Sequence, residues 1–443
     1  MKLNIFISPA VKAHSVKRMF FILLVLIVLF GTVSCARKAE SSSAKEQVNL
    51  KMLWWGGDSR NKATLDAIEA YTKLNPNVKI EGQIEAWNTY FEKLLTQLAG
   101  GTLPDIVQLD FSFVPDLINQ NKPFVDIASL SSIIDLSGFD MNFARSYGGG
   151  SSYLIGLPTG INGICGIYNV ELAKKLGIDM SKSHEWSYDD LLRVGVAANQ
   201  KDSDKYFIYF KKELYIHLVK TMLKQMSGKN LINDDKTLGY SRDDMISIFT
   251  YIRDLVDAKV VPPFEIGTVY ETQIADNPDW LAEKYVMTTT YASLIGPFLD
   301  ASPFEIDSTR FFVKENPVDK GIPATPVNIL SIYNKSSNVN EAAKFLNWFF
   351  NDEQSINILG DVRGVPAVAK AREILVKEGK MRPQIAKAVD YALAWTGEPD
   401  NSQSLNVEVT NRLLDFIHEV GYKRMTPAQA VDEMSKELLL IVK

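Results

Sequence analysis

The sequence predicts an α/β protein of two domains, and three observations predict it. Residues 48–110 interleave strand-like apolar stretches with amphipathic helical ones in the order β-α-β-α-β. That order implies right-handed crossovers and a parallel sheet covered by helices. Some 400 residues follow an N-terminal leader, roughly enough for two cores. Large aromatic and short polar residues collect just after the strands, where open α/β sheets bind ligands.

The first strand is read from "NLKMLWW", in which Leu50, Met52 and Trp54 alternate on one side. "ATLDAIEAYTKL" places Leu65, Ile68, Tyr71 and Leu74 near helical spacing, and "NPN" at 75–77 stops it. "VKIEGQIE" is the second strand. Asn88 can cap a helix whose stripe is Phe91, Leu94, Leu95 and Leu98, ended by Gly100 and Gly101. "DIVQLD", 105–110, is the third strand. "LIGLPTGINGICGIYN", 154–169, then carries the chain as a strand into the second domain. Helices follow around 170–176, 188–199, 213–227 and 242–258, with strands at 286–295 and 326–334. "NEAAKFLNWFF" is a helix that buries Ala342, Leu346, Phe349 and Phe350. A final helix starts at the Thr426 cap with Pro427 in its first turn, and Ala430, Val431, Met434, Leu438 and Leu439 form its stripe.

The leader sets the address. Residues 1–18 carry Lys2, Lys12, Lys17 and Arg18 and no acid, and residues 19–30, "MFFILLVLIVLF", are unbroken apolar. That run is shorter than the roughly 20 residues of a membrane span and fits the core of a secretory signal over 1–34. "GTVSC" resembles a bacterial lipobox, in which Cys35 is diacylated and becomes the mature terminus. Its Thr32 stands where Leu is usual. Residues 35–47 read as a lipidated polar tether. The only other cysteine is Cys165, so no disulfide is expected. Removing the leader's four basic residues from the chain's 48 leaves 44 Lys and Arg against 53 Asp and Glu, a net of −9. Charges are interspersed with no basic block, which argues against nucleic acid. Beyond the leader only His184, His217 and His418 remain, at no ligand-like spacing, so no metal is expected, and no motif calls for a cofactor.

"WWGGDSR", "NPNVKIEGQIEAWNTYFEKLLTQLAGGTLPDIVQLD", "LPTGINGICGIYN", "NPDWLAEKYVMTT" and "RGVPA" together resemble the extracellular solute-binding protein family 1, the sugar-capturing lipoproteins of ATP-binding-cassette (ABC) importers. The resemblance implies the two-lobe periplasmic-binding-protein-like (type II) fold, with a hinge and an interlobe cleft. By that analogy the N-terminal lobe comprises 48–156 and 332–375, and the C-terminal lobe 157–331 and 376–443. It implies a carbohydrate ligand, permease subunits as membrane partners, a monomer, and no chemical step.

A buried sugar hydroxyl left unpaired costs about 1–3 kcal/mol, so a sugar cleft must match hydroxyls with bifunctional side chains and C–H faces with aromatic rings. On that chemistry the expected ligand residues are Asp58, Arg60, Trp87, Asp110, Thr159, Asn162, Trp280, Tyr291 and Arg363. Several have structural alternatives. Asp58 and Asp110 could serve as caps, Asn162 could be a hinge hydrogen-bonder, Trp280 a packing residue, and Arg363 a member of a buried ion pair stabilising its loop. Two rivals remain: a receptor for a non-sugar such as a polyamine, and an exported carbohydrate-active enzyme, which would need a carboxylate pair about 5–9.5 Å apart.

Overall fold

A computed structural model describes residues 47–119, 122–150, 152–267, 275 and 277–443. The leader and Cys35 lie outside the described residues. In chain order the strands are β1 (Val48–Trp54), β2 (Val78–Ile84), β3 (Ile106–Leu109), β4 (Leu157–Pro158), β5 (Gly160–Asn169), β6 (Tyr206–Tyr209), β7 (Tyr285–Tyr291), β8 (Ile306–Arg310), β9 (Ala324–Pro326), β10 (Ile329–Ile332) and β11 (Val365–Pro366). They form two sheets, each covered by helices, in the two-lobe α/β arrangement.

The first sheet has the order β2-β1-β3-β10-β4. β1 pairs in parallel with both β2 and β3, the geometry that the β-α-β-α-β order dictates. Leu50, Met52 and Trp54 are buried, and so is Leu53 on the opposite face, because β1 is central and helices cover both sides. β10 arrives from far along the chain and inserts antiparallel between β3 and β4.

The second sheet is built on the long β5. β7 and β8 pair antiparallel with its second half on opposite edges; β9 and β11 pair antiparallel with its first residues, again on opposite edges, both meeting Ile161; β6 extends the sheet in parallel beyond β7. The chain passes between the sheets from β4 to β5 and returns from β9 to β10. Two glycines permit these close crossings. A Cβ on Gly156 would lie 2.4 Å from the Leu330 carbonyl oxygen, and one on Gly160 would lie 2.5 Å from that of Arg363.

Three apolar clusters hold the fold. One lies between the first sheet and the helices Asp58–Leu74 and Val339–Asn351, and continues beneath one face of the second sheet. A second gathers the helices Tyr188–Lys201, Leu214–Ser227, Arg242–Asp257, Val407–Gly421 and Pro427–Ile441 on the other face. The third, with Leu53, Tyr90, Leu94, Val107 and Leu117, sits directly under the aromatic residues that follow β1 and β3.

Three local expectations are corrected. The helix after β2 begins at Trp87 with Ala86 as its unassisted cap, so Asn88 lies inside it. Glu85, just before the cap, accepts from Ala86 N–H at 3.3 Å and from Thr89 Oγ1 at 3.0 Å. In the helix Asp58–Leu74 the buried face runs through Ala63, Thr64, Ala67 and Tyr71, while Leu65 and Leu74 are exposed. The strand read at 286–295 stops at Tyr291, and Ala292–Leu294 forms a turn of 3₁₀ helix.

Candidate functional site

The carboxyl ends of β1, β2 and β3 deliver three short loops to one edge of the first sheet. After β1, Trp55–Gly57 lead into the helix that begins at Asp58; after β2, Glu85 and Ala86 lead into the helix that begins at Trp87; after β3, Asp110 leads into a 3₁₀ turn, Phe111–Phe113. The loops meet in an aromatic nest. Trp55 packs edge-on against Tyr90 at 4.5 Å and tilted against Trp87 at 5.0 Å, while Trp87 stacks on Phe113 at 5.8 Å with 13° between the rings. Trp87 is nonetheless 53% exposed. A large apolar ring held still by its neighbours and left open to solvent is a platform for an apolar ligand face. It borders an open cavity of about 360 Å³ lined by Trp55, Gly56, Arg60, Glu85, Trp87 and Val362.

The two arginines beside this cavity form a connected pair. The Arg60 stem lies over Gly56, where a Cβ would meet Arg60 Cδ at 2.6 Å, and its Nε donates to the Val362 carbonyl at 3.2 Å. Arg363 is buried behind it: Nη1 donates to Gln108 Oε1 at 2.5 Å and Nη2 to Thr64 Oγ1 at 2.8 Å. Gln108 in turn donates to the Trp55 carbonyl at 3.0 Å, and the Thr159 hydroxyl donates to the Arg363 carbonyl at 3.3 Å. The loop after β1, the middle of β3, the crossing at Thr159 and the segment before β11 are thereby tied into one network. Burial, with the charge of Arg60 added, pushes the Arg363 guanidinium down to about 9, and burial lowers Arg60 as well.

The second sheet carries a second group of polar residues. Tyr291 lies opposite Ile164 in the β5–β7 ladder, and Asn162, two residues along, shares that face. Asn162 Oδ1 accepts from Ser293 N–H at 3.4 Å, and the Tyr291 hydroxyl is 2.9 Å from His217 Nε2. Burial and the charge of Lys220, opposed by Asp400, hold the His217 imidazole down at about 4, so it is neutral at pH 7. Lys220 and Lys224, one turn apart on the helix Leu214–Ser227, both contact Asp400 at 2.9 Å. Lys220 also donates to the Ser404 carbonyl at 2.7 Å, and Lys224 donates to that of Glu398, so the pair pins the segment 398–404. Burial disfavours the Asp400 carboxylate, and the two ammonium groups overcome this to hold its pKa below the ordinary range. Tyr147, against Phe111 at 5.5 Å, lies in the field of Asp400 and Glu398, which add to burial in raising its phenol pKa.

Not every expected ligand residue is placed at this site. Trp280 is fully buried: its rings meet Phe298 and Phe304 edge-on at 5.8 and 5.3 Å, and its Nε1 donates to Ser302 Oγ at 2.9 Å. It offers no surface to a ligand. The turn opened by Asn277, which caps Asp279 N–H at 2.9 Å, swings the indole inward. Asp110 is engaged as a cap, accepting from Ser112 N–H at 2.9 Å and Ser112 Oγ at 2.6 Å through one oxygen. Thr159 is buried at the crossing, and Arg363 stands one layer behind the cavity that Arg60 lines. Asp58 is exposed in the first turn of its helix and makes no capping bond; Gly57 occupies the cap position. Gln108, Phe113, Tyr147, His217, Lys220, Lys224 and Asp400 went unrecognised. The one available signal was His217, Lys220 and Lys224 at i, i+3 and i+7, a polar stripe on a helix otherwise buried nearly all round. Cys165 is buried in β5, its thiol donating to the Thr290 carbonyl at 3.5 Å. Among the described residues no group of three or more His, Cys, Asp or Glu could hold a metal ion, and no helix is long and apolar enough to cross a membrane.

This arrangement of two sheets, two crossings and a ring-lined edge is that of an extracytoplasmic solute-binding protein. The chain belongs to the family described as bacterial extracellular solute-binding protein, whose profile matches residues 57–356. Similar solved structures include an extracellular solute-binding protein family 1 from Alicyclobacillus acidocaldarius, 22% identical, with a TM-score of 0.80 over 90% of this chain and 99% of that one. A periplasmic oligogalacturonide binding protein from Yersinia enterocolitica is 23% identical, with a TM-score of 0.73 over 89% of this chain and 99% of that one. A cyclic alpha-maltosyl-1,6-maltose binding protein from Arthrobacter globiformis is 16% identical, with a TM-score of 0.60 over 90% and 99%.

Proposed function

We propose that this chain is an extracytoplasmic receptor, held to the membrane by a lipid on Cys35, that captures a sugar and hands it to an ABC importer. The carrying observation is Trp87, half exposed yet fixed by Phe113 and Trp55, at the strand edge of the first sheet. The ligand is an oligosaccharide in this reading. Structural neighbours named for binding oligogalacturonide and cyclic maltosyl-maltose support that choice.

The lobes are 48–156 with 332–375, and 157–331 with 376–443, joined at the crossings near Thr159 and residues 326–329. Trp87, Arg60, Asp58 and Asp110 approach the sugar from the first lobe, and Asn162 and Tyr291 from the second. Thr159 and Arg363 hold these walls in register. Closure about the hinge is favoured because the sugar touches both lobes only in the closed state, and a ligand shifts such an equilibrium only through differential contacts. The permease then takes the closed complex. No bond is made or broken by this chain, and hydrolysis of ATP falls to partner subunits. A neutral His217 and uncompensated arginines suit a polyamine poorly.

A thermal-shift screen against mono- and oligosaccharides tests the reading. A true ligand at 100-fold excess over its Kd adds about 2.7 kcal/mol of stability and raises Tm. A shift with spermidine and none with any saccharide would replace the sugar with a polyamine. Release of shorter products from an oligosaccharide would make the chain an enzyme.

A further inference from the structure

We propose that the captured saccharide is acidic, carrying a carboxylate or sulfate group that meets Arg60 at the edge of the Trp87 platform. The inference rests on the carbohydrate reading above and names the class within it. Two guanidinium groups, Arg60 and Arg363, stand next to each other at this wall, and neither makes an ion pair with any described residue. Their partners are all neutral: the Val362 carbonyl, the Gln108 amide and the Thr64 hydroxyl. Those partners occupy Arg60 Nε and both Arg363 Nη atoms. Arg363 Nε is buried with no partner, and the two Nη atoms of Arg60, which lines the cavity, have none among the described residues. A neutral partner satisfies an N–H but leaves the charge uncompensated, and water at Arg363 Nε would do no more. The free fork of Arg60 matches a bidentate oxyanion.

The acids nearby do not cancel this charge. Glu85, on the cavity wall, is taken by Lys93 in an ion pair of 2.5 Å, and Asp58 is exposed, where water screens it. The second wall has the same imbalance, since Lys220 and Lys224 share the single carboxylate of Asp400. The buried charges of both walls are therefore positive in excess, which a neutral sugar leaves unpaired.

Calorimetric titration of the full chain, purified in detergent, tests the proposal with trigalacturonate, a sulfated disaccharide and a neutral trisaccharide. The expected result is that an acidic saccharide binds at least about tenfold tighter than the neutral one, and that the preference shrinks as ionic strength rises. Arg60→Gln is expected to weaken the acidic ligand by about tenfold more than it weakens the neutral one, and Arg60→Lys to recover part of that difference. Preference for the sulfated arm over galacturonate would keep anion recognition and name sulfate as the group. Equal or tighter binding of the neutral sugar, or equal losses for both ligands in Arg60→Gln, would overturn the proposal and leave the sugar receptor intact. Binding of no saccharide would remove both.

Discussion

Replacing Trp87 with alanine separates a ligand platform from a core residue. A tryptophan side chain presents at most about 250 Å². With 53% of Trp87 exposed, about 130 Å² remains for a ligand, and a sugar lying on one face covers about half of it. At about 25 cal/mol per Å², the lost contact is about 1.6 kcal/mol, a weakening of about fifteenfold. The buried half of the ring packs on Trp55 and Phe113, so stability falls too, by about 2 kcal/mol, a shift of only a few degrees in a chain of this length. Trp54→Ala supplies the contrast. Trp54 is fully buried, and its Nε1 donates to Asn61 Oδ1 at 3.0 Å, so truncation costs about 3–5 kcal/mol of stability. Calorimetric titration and thermal melts of both variants with a saccharide bound by the parent chain decide the matter. If Trp87→Ala bound that saccharide within twofold of the parent, the platform assignment would be refuted.

Three further outcomes follow from the second wall and the buried histidines. Tyr291→Phe removes one hydroxyl, leaves His217 unpaired and should weaken sugar binding about fivefold by titration, with a stability loss of about 1–3 kcal/mol in a melt. Asp400→Asn strands Lys220 and Lys224 without a counter-ion and should cost about 3–5 kcal/mol in a denaturant melt; a loss below about 1 kcal/mol would mean the lysines relax into water. Burial holds both His217 and His418 down at about 4, against about 6.5 when unfolded. Their contribution to stability is complete above pH 6.5 and is lost as pH falls towards 4, because the unfolded chain takes up protons that the folded one refuses. At pH 5 that amounts to about 2 kcal/mol for His217 and less for the partly solvent-screened His418, and melts at pH 7, 6 and 5 should show it, with a shallower fall in His217→Gln. A stability independent of pH over that range would contradict the burial assigned to these rings.

Much of the scaffold was legible because its signals are local. The alternation of Leu50, Met52 and Trp54, the Thr426–Pro427 start of the last helix and the Gly100–Gly101 stop are each written within a few residues. The insertion of β10 between β3 and β4 is not local. Nothing near Ile329 marks it as a partner of Leu109, because that pairing is set by sheet closure across more than two hundred residues. The site divides in the same way. Trp87 and Arg60 are recognisable because they follow strands in a parallel unit. Trp280 looked equally suitable, yet a capped turn aims it into the core; composition cannot tell a ring that packs inward from one that faces a cleft. The link from Arg363 to Gln108, and the grip of Lys220 and Lys224 on Asp400, join segments far apart in sequence and emerge only in three dimensions.

The central claim is that two walls from different sheets enclose one sugar. A crystal structure of the complex with a bound saccharide tests it most directly. The account predicts a sugar ring lying flat on Trp87, with Arg60 at its edge and Asn162 and Tyr291 touching its other side. A saccharide seated elsewhere, or held by the first wall alone with the second left in water, would contradict it.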